Sequence, residues 1–293
     1  MAGAERISVR NARRRPALPE LPEVETTARG LRARLIGRMV ISVGGVDWPR
    51  MLPNTSELEL QQLVTGGRVV SISRKGKYLL MELDDDRWLV IHRKMSGNLL
   101  LEPAGAPLER HTHLEIVFDD GTALRFVDPR KFGRVYFFRS TDDLATFVSA
   151  RLGPDSLLDL DEAMLVGKLR GRHGRIKSLL LDQAFLAGVG NLYADEALWE
   201  ARVHPLRAAD SLSTTEIKRL ARAIKQVLTL GIERRGTSFS SYRDADGEPG
   251  DNQSFLKVYG RESEPCPRCG RPISRIQVGA RSSHFCRKCQ RGP

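Results

Sequence analysis

Pro19-Glu20-Leu21-Pro22-Glu23-Val24-Glu25 packs three carboxylates and two prolines into seven residues at the mouth of a helical pattern. Proline is tolerated in the first turn of a helix, and acids near an N-terminus suit the helix dipole. Val24, Ala28, Leu31 and Leu35 then recur at helical spacing, which predicts a helix over 22–35. After Gly37 the text changes to short β-rich runs at 39–46, 68–73, 78–83, 88–92, 99–101, 113–118, 123–127 and 134–138. Turn residues separate them, and Asp84-Asp85-Asp86 reads as a solvated hairpin turn. Eight short strands with local turns predict an antiparallel sandwich or barrel, with the first helix packed against it. Around 140–154 the character changes again. Helical patterns follow at 161–170, 174–183, 190–200 and 213–234, the last opened by a Ser213/Glu216 capping box. The fold class is therefore α+β, a β-rich half followed by an all-α half.

The 293 residues suffice for one large domain or two ordinary ones. No apolar run is long enough to span a membrane. Of the net charge of +11, residues 1–18 supply five Arg against one Glu. Residues 255–293 supply nine Lys and Arg against two Glu, which leaves the middle of the chain neutral. A compact basic segment is a footprint for a polyanion. Nucleic acid fits it better than acidic membrane, because the segment lacks an apolar helical face. All four cysteines lie there, as Cys266-Pro267-Arg268-Cys269 and Cys286-Arg287-Lys288-Cys289. Two such pairs offer four thiolates to one structural Zn2+, in preference to two disulfides.

Other stretches admit more than one reading. Gly188-Val189-Gly190-Asn191-Leu192-Tyr193 lacks the third glycine of a dinucleotide loop and follows a helix. It suits a helix–two-turn–helix element, with amides at the second helix's N-terminus, and Asn191, holding a DNA phosphate. Arg74-Lys75-Gly76-Lys77 puts three cations at a strand entrance, either as a solvated turn or with a lysine reaching a phosphate or sugar. The stretches around Met95 and around Arg130 and Phe132 each join a cation to an apolar side chain suited to wedging into a base stack. His111 and His113 share a face if they lie on a strand. Without a third ligand they read as surface or phosphate-contact histidines.

In this order, Pro19 to Glu25, Lys77-Tyr78-Leu79, Met95-Ser96-Gly97, Asp128 to Gly133, Val189 to Tyr193 and the four cysteines resemble the formamidopyrimidine-DNA glycosylase family along 19–290. The resemblance implies an N-terminal β-sandwich with a flanking helix at 19–150 and a helix–two-turn–helix domain at 151–254. A zinc-bound β-hairpin at 255–293 would follow, with duplex DNA in the cleft. It implies a bifunctional glycosylase and abasic-site lyase that removes 8-oxoguanine and formamidopyrimidines, then nicks the strand by β,δ-elimination. Pro19 would be the nucleophile, Glu20 the general acid/base, Lys77 the β-elimination lysine and Arg281 the hairpin arginine. Met95, Arg130 and Phe132 would fill the void left by the flipped base. His111, Lys177 and Asn191 would hold backbone phosphates, and 236–255 would close over the base. The expected partner is double-stranded DNA with oxidised bases or abasic sites, met by a monomer in a bacterial cytoplasm, with zinc as the one cofactor.

Pro19 is a nucleophile only as a free amine, because a proline nitrogen inside a peptide bond is an amide. Residues 1–18 are thus expected to be untranslated, with initiation at Leu18, or cleaved off. A disordered tail or organelle-targeting peptide is the other reading. If the extension stays, the chain reads as a zinc-finger protein that binds damaged DNA without cutting it. A rival enzyme is the endonuclease VIII-like branch acting on oxidised pyrimidines, which tends to carry Gly where this chain has Leu21.

Overall fold

The computed structural model describes residues 19–292, so the readings of residues 1–18 lie outside it. Helix α1, Leu21–Leu35, opens with a capping box: the Glu20 side chain accepts from the Glu23 amide, and Glu23 accepts from the Glu20 amide. The eight anticipated strands form as β1 Val40–Gly44, β2 Val69–Lys75, β3 Tyr78–Leu83, β4 Arg87–His92, β5 Asn98–Pro103, β6 Thr112–Phe118, β7 Thr122–Val127 and β8 Arg134–Phe138. They divide into two antiparallel four-stranded sheets, ordered β1-β6-β7-β5 and β2-β3-β4-β8, which makes the unit a sandwich and not a closed barrel. Alternating residues such as Leu114, Ile116, Leu124 and Phe126 meet Ile72, Leu79, Met81 and Ile91 in one apolar core. Val24, Ala28, Leu31 and Leu35 of α1 join that core.

Two short helices were not anticipated from the sequence, α2 Glu57–Val64 and α3 Thr141–Ser149. Each is capped by a serine, Ser56 accepting from the Glu59 amide and Ser140 from the Asp143 amide. The helical half comprises α4 Glu162–Leu169, α5 Ile176–Leu181, α6 Asn191–Glu200 and α7 Thr214–Glu233, the last with the Ser213/Glu216 capping box. Its separate core is built on residues such as Leu180, Val189, Leu198, Leu220 and Ile224. Leu21 belongs to this second core, so α1 is the seam between the halves. Strands β9 Ser274–Val278 and β10 Arg281–Phe285 form a hairpin, paired from Arg281↔Val278 to Phe285↔Ser274. Gly279, at φ +58°, supplies the left-handed turn that puts Arg281 at the exposed tip.

Candidate active site and zinc centre

The turn before α6 is built around Glu20. Its carboxylate accepts from the amides of Gly190 at 2.7 Å, Leu192 at 2.9 Å and Tyr193 at 3.4 Å. The helix N-terminus expected to hold a DNA phosphate therefore holds a carboxylate of the chain itself, which corrects that reading. Both are anions, and both satisfy amides that have no partner within the helix. The glycines follow from the same contact. A Cβ on Gly190 would lie 2.3 Å from the Glu20 carboxyl carbon, and one on Gly188, at φ +108°, would lie 2.5 Å from Leu21. Glu20 is 2% exposed, and burial pushes its pKa up to about 7. Lys77 and the amides of Leu192 and Tyr193 pull it back, while Glu23 adds to the rise.

Pro19 is buried beside it. Glu23, one turn on and also buried, accepts from the Tyr193 hydroxyl and the Thr237 amide, both at 2.8 Å, and burial raises its pKa too. Glu23 thus ties α1 to α6 and to the segment after α7. Lys77 follows the tight Gly76 turn between β2 and β3. Burial lowers its pKa, against the pull of Glu20 and Glu23 and with help from Arg281. The structure accordingly brings Lys77 within electrostatic reach of both Glu20 and Arg281. Their frame is Asp155, fully buried, which accepts from Arg74 at 2.6 Å and from the Gly76 amide at 2.9 Å. Arg74 also lies 3.0 Å from Glu25. One buried aspartate from the helical half therefore fixes the sandwich turn that carries Lys77.

The void-filling candidates sit on two loops with a shared root. Buried Asp128 accepts from Ser96 Oγ and from the amides of Phe132 at 2.8 Å and Gly133 at 2.7 Å. The ring of Phe126 lies between Gly97 and Gly133, where any Cβ would come within 2.4 Å of it. Met95, on one loop, is half-buried, whereas Arg130 and Phe132, on the other, are exposed and stacked at 4.8 Å. Buried Arg93 sits beneath the Met95 loop, donating to Gly97 O, Thr27 and Asn98.

The histidine pair differs from expectation. His113 is 3% exposed, with its ring nitrogens on Asp47 at 2.6 Å and Asp128 O at 3.1 Å, so it is a structural residue and not a surface one. His111 precedes β6 at φ +72°, partly exposed, and does not share a strand face with it. Asn191 lies at the first position of α6 beside Tyr259, with Oδ1 buried and unpaired. Lys177, expected to hold a backbone phosphate, points inward in this structure. Its ammonium is fully buried and donates to Asp195 at 2.5 Å, Ser283 Oγ at 2.6 Å and Ser282 O at 2.8 Å. Asp195 also accepts from the His284 amide at 2.8 Å, and its neighbour Glu196 accepts from the amides of Lys257, Val258 and Tyr259. Two adjacent acids on α6 therefore anchor the C-terminal segment, Asp195 at the hairpin and Glu196 at the stretch leading to it, a role the sequence does not announce. The 236–255 segment is tied to the sandwich through Ala245 O with the Leu101 amide at 2.8 Å and Arg243 with Glu109 at 2.7 Å.

Cys266, Cys269, Cys286 and Cys289 place their sulfurs within 4.8 Å of one another, with pairs at 3.4 and 3.9 Å. A disulfide would need about 2.05 Å, whereas thiolates around tetrahedral zinc stand roughly 3.8 Å apart. The donor set fits one structural zinc. Trp199 of α6 packs on the cluster, and its indole N–H, which lacks a nitrogen or oxygen partner, faces Cys266. Burial opposes ionisation of Cys266, but the Arg268 amide and this N–H outweigh it and draw the thiol down to about 6.

Three family models match the chain in succession: the formamidopyrimidine-DNA glycosylase N-terminal domain at 18–135, its helix–two-turn–helix domain at 152–243 and a zinc finger found in these enzymes and in an isoleucyl synthetase at 263–292. The formamidopyrimidine-DNA glycosylase of Herpetosiphon aurantiacus is 46% identical over 93% of this chain and 100% of that protein. Among solved structures, a variant of the Lactococcus lactis enzyme with DNA containing Fapy-dG, and that enzyme with abasic-site DNA, both superpose with a TM-score of 0.87. Each is 39% identical and covers 94% of this chain and all of that one. With its sandwich, its helical half, its hairpin cysteines and these matches along nearly its whole length, the chain belongs to the formamidopyrimidine-DNA glycosylase family.

Proposed function

We propose that the chain is a base-excision DNA glycosylase and abasic-site lyase acting on oxidised purines in duplex DNA. The observation that carries the reading is Glu20, a buried carboxyl with a pKa of about 7, next to Pro19 and within electrostatic reach of Lys77. With Pro19 as the first residue, its secondary amine would titrate near 8 and be partly neutral at pH 7. The nitrogen lone pair attacks deoxyribose C1′, and the C1′–O4′ bond opens as Glu20 gives its proton to the ring oxygen. The C1′–N bond to the base then breaks, and the base leaves with its electron pair and takes up the proton that the proline nitrogen sheds in becoming an iminium. The resulting iminium acidifies the C2′ hydrogen. Its removal expels the 3′-phosphate, and a second elimination expels the 5′-phosphate. Lys77, with its lowered pKa, is suited to accept a proton in these steps, and Arg281 to steady a phosphate. Met95, Arg130 and Phe132 occupy the gap in the stack. The zinc supplies no chemistry to the base and holds the hairpin that carries Arg281. The bacterial relatives support action in the cytoplasm, on genomic DNA.

The test uses zinc-loaded protein beginning at Pro19 on duplexes with 8-oxoguanine opposite cytosine, or with thymine glycol. Strand scission at 8-oxoguanine, leaving phosphate on both ends, is expected to be the faster reaction. Cleavage confined to thymine glycol would assign the chain to oxidised pyrimidines instead.

A further inference from the structure

The helical half carries a second concave surface that the glycosylase reading does not use. A cleft of about 380 Å3 opens at the C-terminal end of α6, lined by Glu200, Arg202, Arg219, Arg222 and Arg268. Two of the arginines serve the helix. Arg268 donates to Trp199 O and Arg219 to Ala201 O, both carbonyls at the C-terminal end of α6, where a cation suits the helix dipole. The other two are available. Arg202 is exposed and makes no ion pair among the described residues, and Arg222, with its side chain 67% exposed, reaches Glu162 only at 3.4 Å. Glu200 lies 3.4 Å from Arg268, so the cleft keeps an excess of positive charge.

Beside it lies a chamber of about 100 Å3 whose apolar wall is Trp199, Val227, Leu230, Phe255 and Leu256, with polar residues that include Arg234 and Lys257 completing the lining. The two spaces share Glu200 and Gln226, and the Arg268 guanidinium, 3.9 Å over the Trp199 ring, joins them. A chamber of this order has room for one aliphatic or aromatic side chain. We propose that the groove docks a short acidic segment of a partner protein, with its carboxylates on Arg202 and Arg222 and one bulky apolar side chain in the chamber.

Charge complementarity selects an anion, and the chamber selects a peptide over a nucleic acid. A nucleobase needs an open aromatic face. Trp199 is buried beneath Arg268, and the half-exposed Phe255 has one face taken by Arg234 at 4.0 Å. The site is also remote from the lesion. Glu20 meets the N-terminal end of α6, and a ten-residue helix is about 15 Å long. A partner could therefore sit in the groove while DNA occupies the cleft.

The experiment takes zinc-loaded protein beginning at Pro19 and a fluorescein-labelled peptide, a run of aspartates ending in Leu-Phe, and follows anisotropy. Saturable binding is expected at roughly 10–100 μM, the range of a small transient contact. Combining Arg202→Glu with Arg222→Glu should raise Kd at least about tenfold while leaving affinity for an abasic-site duplex unchanged. Replacing the terminal Leu-Phe by Gly-Gly should weaken binding similarly. The proposal fails if the peptide does not bind, or if the charge-reversed protein binds it equally well. It also fails if single-stranded oligonucleotide displaces the peptide at lower concentration, which would mark a nucleic-acid site. None of these outcomes depends on the glycosylase reaction.

Discussion

Glu20 is held between burial, which favours its neutral form, and Lys77 with the Leu192 and Tyr193 amides, which favour its charged form. Burial prevails, so the folded protein keeps a proton on Glu20 up to about pH 7, whereas the unfolded chain loses it near 4.5. The sign follows. Between those values the native state binds more protons, stability falls as pH rises, and above 7 the buried carboxylate costs on the order of 3 kcal/mol. Glu20→Gln should gain stability relative to the parent as pH rises from 5 to 8, read from denaturant midpoints. The same variant should lose about 10²–10⁴-fold in base release. It should lose far less in scission at a preformed abasic site, where the ring-opened aldehyde needs no proton on the ring oxygen. In the parent, kcat/KM should be bell-shaped, with limbs near the carboxyl's 7 and the amine's 8, and the variant should lack the carboxyl limb. A profile unchanged by the substitution would remove Glu20 from the proton-transfer role. The sequence made the acidic run legible as a helix cap, and Glu20 is one. That the carboxylate also takes the phosphate-like place at α6 was not legible, since it depends on a contact 170 residues away in the chain.

Helix α6 acts through both its ends and one flank. Its N-terminus receives Glu20, its Asp195 anchors the hairpin and its Glu196 the stretch before it, and Trp199 packs on the cysteines. Asp195→Ala would leave the Lys177 ammonium buried without its counter-charge, a loss of about 3–5 kcal/mol. Urea unfolding of the variant would measure it, and a change under about 1 kcal/mol would contradict the assigned anchor. Chelating the zinc should release the hairpin, shift Trp199 emission and weaken DNA binding, while the far-ultraviolet signature of the helices persists. Unchanged emission would separate Trp199 from the metal centre. The strands and the helices of the second half were legible because their apolar periods run through most of each element. Helices α2 and α3 were not, although a serine caps each of them. The cysteine spacing was legible at once, because two close pairs restrict the geometry so tightly. The roles of Lys177 and His113 were not, since burial depends on what packs against a residue and not on its own chemistry.

At the scale of the molecule, two cores meet along α1, with Leu21 in the helical core and Val24 onward in the sandwich. The Arg74–Asp155 pair and the Glu20 amide contacts cross the same seam, so the catalytic candidates sit where neither half could place them alone. The charge distribution suits this geometry, since the basic segment is the one that bears the zinc hairpin and Arg281. The central claim is that Pro19 attacks the sugar as a free secondary amine. Its most direct test is borohydride trapping on a duplex with 8-oxoguanine opposite cytosine, comparing zinc-loaded protein beginning at Pro19 with protein beginning at Met1. A covalent adduct is predicted for the first form and none for the second, because an amide nitrogen cannot form the iminium. Absence of an adduct from the folded, zinc-loaded Pro19 form, or equal trapping of both forms, would contradict it.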